Sequence, residues 1–312
     1  MNELLLQSFL SVLLSTALVA AVPLLLAALG ETFAEQAGLL NLGLEGMMLS
    51  GAFAGFYATF NTNDPLIGLL VGLAVGLALG LVFGLLTISL RVNQVIIGLA
   101  ITIFAMGITG FLFRDFYGTR FPTLGVAFPK MAIPGLNSIP VIGVAFFDHQ
   151  LVVYLTWVLV VVSGFVLART RFGLETRAVG ENPFAADAAG VNVFLIRYLA
   201  IGIGGSLAGL AGAFLSCVDL SFFVPGMTMG QGFIAIAITM LGRWRPSRVF
   251  VGALLFGGLR SLSNGLQVVG VSLQPEFILM LPYLGLILAM VLLAGRTALP
   301  AALAIPYERG RQ

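Results

Sequence analysis

A succession of apolar runs, each about as long as a bilayer-spanning helix and scarcely separated from the next, is what most constrains this chain. A helix crosses the hydrocarbon core in about 20 residues. On that template runs lie at 4–29, 39–60, 66–90, 92–113, 151–168, 196–216, 228–242, 248–268 and 277–295. The expected fold class is therefore all-α, a polytopic transmembrane helix bundle of about nine spans, with residues 1–312 forming one membrane domain. Composition supports this: 59 % of residues are hydrophobic, 9 % are charged and the mean hydropathy is +1.08, whereas a soluble domain carries about 25 % charged residues. Lipid must be the solvent over most of the surface. Pro23, Gly38 and the Pro225-Gly226 pair are the expected breaks within runs. The first residues lack the basic start and small-residue cleavage site of a secretory signal, so Leu4 onward reads as a retained first span.

Orientation follows from the cations. Arg91, Arg169, Arg171, Arg177, Arg197, Arg243, Arg245, Arg248, Arg296, Arg309 and Arg311 fall on one side, and only Arg114, Arg120 and Lys130 on the other. The positive-inside rule makes 169–195 and 243–247 cytoplasmic and 114–150 an external connection. An odd number of spans then sets the N-terminus outside. The net charge of +2 is scattered between apolar runs, which excludes a nucleic-acid surface. One cysteine, Cys217, and one histidine, His149, leave no internal disulfide and too few ligands for a His/Cys zinc site. Gly72, Gly76, Gly80 and Gly84 recur every four residues and predict a groove that admits another backbone.

An ionisable group at the bilayer centre costs about 2.5–3.5 kcal/mol on insertion scales, so each one that persists asks for a reason. Glu31, Glu35, Asn41 and Glu45 would share a stripe of roughly 120° with Gly38 if their helix were continuous. Either all four go deep, or Glu31 and Glu35 stay at the cytoplasmic interface and only Asn41 and Glu45 face a cavity. Gln94, Gly98, Thr102 and Thr109 share a face of the fourth run, after Asn93; Thr109 can be satisfied by its own backbone. Arg260, Ser263, Asn264 and Gln267 make one face of the eighth run polar, as a pathway lining or as interhelical hydrogen bonding. Across 221–232 two aromatics, Phe222 and Phe223, precede a Pro-Gly break and Gln231. Broken helices at membrane depth line cavities and expose backbone groups for binding; the plainer reading is an external loop entering a helix. Asn41, Glu45, Asn93, Gln94, Thr102, Phe222, Phe223 and Gln231 are the candidate pathway residues.

The segment 173–191 carries the most specific local signal. Asn182 suits an N-cap and Pro183 the first helical position. Ala185, Ala186, Ala188 and Ala189 favour helix, and Gly190 suits its stop. The result is a helix of about two turns, too short to stand alone, with Asn192 placed to cap the next span. On the arginine-rich side it suits docking into a groove on a cytoplasmic partner, and it also reads as a plain amphipathic connector.

This loop, with Gly180-Glu181-Asn182-Pro183 at its centre, resembles the coupling segment of bacterial ABC importer permeases of the branched-chain amino acid, ribose and nucleoside superfamily. Asn41-Leu42-Gly43-Leu44-Glu45-Gly46, Asn93-Gln94-Val95-Ile96-Ile97-Gly98 and Gly230-Gln231-Gly232-Phe233, with Gly242-Arg243-Trp244-Arg245-Pro246, resemble further motifs of that group, in order over about 31–260. The forms present are most similar to the nucleoside branch, with simple sugars as the neighbouring assignment. Thr102 departs from it, standing where that branch is expected to carry asparagine.

The resemblance implies a half-channel in the bacterial cytoplasmic (inner) membrane. It pairs with a second permease subunit, a related but different chain. Two ATPase domains bind below, and an external solute-binding lipoprotein delivers the small-molecule substrate, a nucleoside or sugar. Gly180, Glu181, Asn182, Pro183, Phe184, Ala185, Asp187 and Gly190 would meet the ATPase. No cofactor is expected on this chain itself, ATP and Mg²⁺ belonging to the partner. In agreement, a phosphate-cradling loop needs Gly-x-x-x-x-Gly-Lys-Ser/Thr, and the sole lysine, Lys130, lies in Phe128-Pro129-Lys130-Met131. A stand-alone proton-coupled transporter using Glu45 or Glu31 would show an inverted repeat, and no convincing one is visible. An intramembrane enzyme lacks any nucleophile–base or paired-Asp signature.

Overall fold

A computed structural model describes residues 3–132, 135, 137, 139, 141–268, 274–293 and 299–308. In chain order its helices begin with α1 (Glu3–Gln36), α2 (Leu44–Thr62), α3 (Pro65–Gly84) and α4 (Gln94–Tyr117). The loop that follows holds β1 (Lys130–Ala132), α5 (Ile142–Phe147) and β2 (Asp148–Gln150), the two strands pairing antiparallel with Met131 opposite His149. Then come α6 (Leu151–Arg169), α7 (Arg171–Glu181), α8 (Pro183–Ala188), α9 (Val193–Phe214), α10 (Gln231–Leu241), α11 (Pro246–Val268) and α12 (Pro275–Leu293). Five-residue π-helical turns extend α3 through Leu85–Ser89 and α9 through Leu215–Asp219.

Among the described residues six helices are long and apolar enough to cross a bilayer: α1, α3, α4, α6, α9 and α11. The other runs behave differently. The 19-residue α2 carries Glu45, Ser50 and Asn61, and survives because most of it is enclosed by protein rather than lipid. The eleven residues of α10 span only about 16 Å, roughly half of the hydrocarbon.

The core forms around α1 and α9, whose buried Leu24, Leu25, Leu26, Leu29, Ala208, Ala211 and Phe214 belong to one apolar cluster. Against α9 lies α3, at backbone contact. A Cβ on Gly76 would stand 2.2 Å from the Gly205 carbonyl oxygen, and one on Gly209 2.2 Å from that of Gly72. The four-residue glycine spacing thus has its groove and its occupant.

Two expectations are corrected. Pro23 does not break the first run, since α1 is continuous from Glu3 to Gln36. A mid-helix proline costs roughly 3 kcal/mol, but this turn is sealed among buried apolar neighbours, where breaking the helix would expose still more backbone to an apolar medium. Glu31 and Glu35 lie within α1, which runs on past both to Gln36. Both are fully buried within α1, because other parts of the chain supply donors to them. The continuous stripe through Glu45 does not form either, as the helix stops at Gln36 and restarts at Leu44. The cations Arg296, Arg309 and Arg311, and Met1 and Asn2, lie outside the described residues.

Candidate functional site

The break between α1 and α2 begins at Gly38, whose φ of +83° is a left-handed conformation that ends a helix without steric cost. Leu39 N–H then donates to Ala34 C=O at 2.9 Å, closing the last turn. From here to Gly43 the chain has no regular structure, so in an apolar medium its peptide groups need partners from elsewhere. Side chains supply them. Gln94 Oε1 accepts from Leu40 N–H at 2.8 Å and Glu31 Oε1 from Asn41 N–H at 3.0 Å. Thr102 Oγ1 donates to Leu42 C=O at 3.2 Å. Asn41 Oδ1 accepts from Gly43 N–H at 3.0 Å, and its amide reaches Met47 Sδ at 3.4 Å. Gly98 lets α4 lie directly on this segment: a Cβ there would be 2.7 Å from Gly43 N.

The second break, 221–230, ends on the same spot. Glu45, 1 % exposed, receives Thr228 Oγ1–H at 2.5 Å and Gly230 N–H at 2.9 Å on Oε1, and Gly232 N–H at 2.7 Å on Oε2. The carboxylate therefore caps α10 while standing in the first turn of α2. Two helix N-termini, each the positive end of a dipole, meet on one anion, and its bonds are charge-assisted. This accounts for a buried acid within a bundle.

Two amide atoms at the junction are left over: Gln94 Nε2 and Gln231 Oε1 are buried and unpartnered. An unpaired buried polar atom costs about 1–3 kcal/mol, so a free donor and a free acceptor stand beside the broken helices.

The structure thus gathers Asn41, Glu45, Gln94, Thr102 and Gln231 around one junction. Asn93 stays on the exposed surface, where its Oδ1 caps α4 by accepting from Val95 and Ile96 N–H. Phe222 and Phe223 sit elsewhere. Phe223 is fully buried, ringed by Phe53, Phe56 and Phe113 with centroids 5.3–6.3 Å away. Phe53 lies eight residues beyond Glu45, about 12 Å along α2. Phe222 is partly exposed and bridges to Thr123. Thr109 bonds its own helix through Ala105 C=O at 2.6 Å, and Ser263 does likewise through Leu259 C=O.

At the cytoplasmic end the connection is two helices, not one. Sequence reasoning missed α7, which Thr170 caps by accepting from Gly173 N–H; that pattern was legible. In α8, Asn182 Oδ1 caps Ala185 N–H at 3.0 Å, Pro183 takes the first position, and Gly190 closes it at φ +87°. Asn192 caps α9 through Leu195 N–H at 3.1 Å. A groove of about 750 Å³ runs between α7 and α8, lined by Arg171, Leu174, Glu175, Glu181, Asn182 and Ala185 among others. Phe184 is 42 % exposed and rests one side of its ring on Tyr307, 5.2 Å away. Pro183 and Ala186 face inward, while Glu181, Ala185 and Gly190 face outward. Gly180 seats α7 on the end of α1, for a Cβ there would be 2.0 Å from Gln36 C=O.

One contributor was not foreseen. The segment 299–308 returns to this end: Ala302 N–H donates to Gly180 C=O and Ala304 N–H to Gly38 C=O, at 2.9 and 3.1 Å. Arg197, read from sequence only as a cytoplasmic cation, is buried and donates to Ala37 and Ile305 C=O. No local pattern marks such an arginine.

A bundle with helices broken inside the membrane, and a short two-helix foot joined to the break, defines a polytopic transport subunit. The chain belongs to the family described as branched-chain amino acid transport system, permease component, which matches residues 13–294. It is 42 % identical over 275 residues to TsgC13 of Haloferax volcanii, provisionally a glucose ABC transporter permease protein, covering 86 % of this chain and 82 % of that one. The guanosine ABC transporter permease protein NupQ of Bacillus subtilis is 38 % identical over 97 % of this chain and 98 % of its own. The nucleoside ABC transporter permease protein NupC of Lactococcus lactis is 32 % identical over the same shares. The protein is a permease component of an ABC transporter, a multi-pass protein of the cytoplasmic membrane that works with ATPase and further permease subunits.

Proposed function

We propose that this permease carries nucleosides inward by alternating access, driven by ATP hydrolysed on a partner chain and fed by an external solute-binding lipoprotein. The carrying observation is the junction itself: two helix N-termini on Glu45, beside an unpaired amide donor on Gln94 and an unpaired acceptor on Gln231. A purine offers both donors and acceptors on its edges, which suits such a pair. Of the two aromatics Phe222 is the partly exposed one, and it lies away from this junction. The full-length similarity to NupQ and NupC supports the same class.

The drive follows a continuous path. A push on α8 moves α7, which is seated through Gly180 on Gln36 and Gly38. That turn leads to Asn41, held by Glu31, and then to Glu45, which holds the start of α10. Displacing the foot shifts both helix N-termini together. ATP changes substrate affinity only because the two arrangements bind substrate unequally.

The similarity to TsgC13 favours one competing reading, a sugar as cargo. Uptake of labelled guanosine, challenged by unlabelled adenosine, ribose, galactose or glucose, separates them. Competition by adenosine alone is expected; competition by sugars alone removes the nucleoside reading.

A further inference from the structure

A cavity of about 840 Å³ opens on the cytoplasmic side, sharing Glu181 of α7 with the foot groove, and none of the residues gathered at the junction lines it. Its polar end carries Arg177 of α7 and Arg243 and Arg245 of the α10–α11 turn, with Glu181 as the one carboxylate of its lining. All three arginines are exposed, and none forms an ion pair among the described residues. Three cations against one anion leave the site electropositive.

The turn that presents them is held in an uncommon shape. Arg243 and Trp244 both have left-handed backbones, with φ of +51° and +55°, a conformation that crowds the Cβ of a non-glycine residue against the following carbonyl. It persists because Gln36 Nε2 donates to Trp244 C=O at 2.7 Å, and the Trp244 indole N–H donates to Glu35. Gln36 Oε1 is buried without a partner beside the same cavity.

The other wall is apolar. Val160, Val161, Gly164, Leu167 and Ala168 climb α6 away from Arg169, a rise of about 13 Å over nine residues. That height reaches well into one leaflet of a bilayer whose hydrocarbon is about 30 Å thick. Val161 is 73 % exposed, and a Cβ on Gly164 would meet nothing within 4 Å. The cations of this cavity therefore sit at one end of an open, exposed apolar groove.

We propose that this cavity holds an acidic phospholipid of the inner leaflet, its phosphate on Arg177, Arg243 and Arg245 and an acyl chain along Val161 and Gly164. Basic pockets between transmembrane helices on the cytoplasmic side suit such headgroups. A free anion has no use for the apolar wall, and an acidic loop of the ATPase would not reach along α6. The inference needs only the membrane placement and is independent of the cargo.

The test uses the full-length transporter, delipidated in detergent and then exposed to vesicles of phosphatidylcholine with or without phosphatidylglycerol, with bound phospholipid counted by native mass spectrometry. Phosphatidylglycerol is expected to be retained at least tenfold over phosphatidylcholine. R243Q/R245Q should lose that preference by at least tenfold, and G164F should lower retention with every arginine intact; unchanged unfolding temperatures show that both variants are folded. Equal retention of the two lipids, or undiminished retention in both variants, overturns the proposal. Displacement of the lipid by glycerophosphate would reveal a plain anion site, and loss of the lipid on adding the ATPase would give the arginines to that partner; either result also overturns it.

Discussion

At the scale of single residues, Glu45 is the one on which the junction turns. Its carboxylate accepts from Thr228, Gly230 and Gly232, and removing it strands two buried donors, of Thr228 and Gly232, at about 1–3 kcal/mol each. E45A should therefore lower the unfolding temperature sharply and abolish uptake. E45Q, which keeps one acceptor oxygen, should fall between E45A and the wild type in thermal unfolding. Equal stability of all three proteins would show that the carboxylate holds nothing. Asn41, Gln94 and Thr102 were recognisable as polar groups out of place in apolar runs. What they do was not recognisable, because their partners are backbone atoms of 40–43, fixed only once α4 lies on that segment.

At the scale of elements, the contact of α3 with α9 is one of backbones. G76L drives a side chain into the carbonyl of Gly205, and overpacking of this kind costs about 1–3 kcal/mol or more. It should cut the yield of folded protein severely. G107L, at a position with nothing within 4 Å, should be nearly neutral in the same thermal-unfolding assay. The foot formed by α7 and α8 predicts a different outcome. Phe184 is 42 % exposed, with its ring 5.2 Å from that of Tyr307, so F184D should leave the bundle folded. It should nonetheless abolish uptake and substrate-stimulated ATPase activity, and normal uptake would dismiss Phe184 as a coupling anchor. The caps of α8 and α9 were plain in the sequence because capping is local chemistry. The separate α7 was also encoded locally, in Thr170 and the turn after it, but alanine-rich α8 drew attention away from it.

For the whole molecule, energy must come from outside the chain if the proposed function holds. The protein reconstituted alone in liposomes should bind nucleoside yet fail to concentrate it, and adding the ATPase and second permease should restore uphill uptake. Accumulation by this chain alone, sensitive to a protonophore, would return Glu31 and Glu45 to the role of proton carriers. The arrangement argues otherwise for Glu45, whose two oxygens are already engaged by Thr228 and by the start of α10.

Hydrophobic run length, the scarcity of charge and the glycine period by themselves decided that this chain is an all-α membrane bundle with one closely packed helix pair. Those signals depend on lipid as solvent and on helical period, which any neighbour would read alike. Tertiary structure alone decided that Pro23 does not break α1, that Glu31 and Glu35 are buried, and that segment 299–308 and Arg197 lock the cytoplasmic end. Each of those outcomes depends on atoms distant in sequence: Asn41 and Trp244 for the two acids, Ala37 and Ile305 for the arginine. Burial of an ionisable group depends on the partners that reach it, and only the folded chain brings them there.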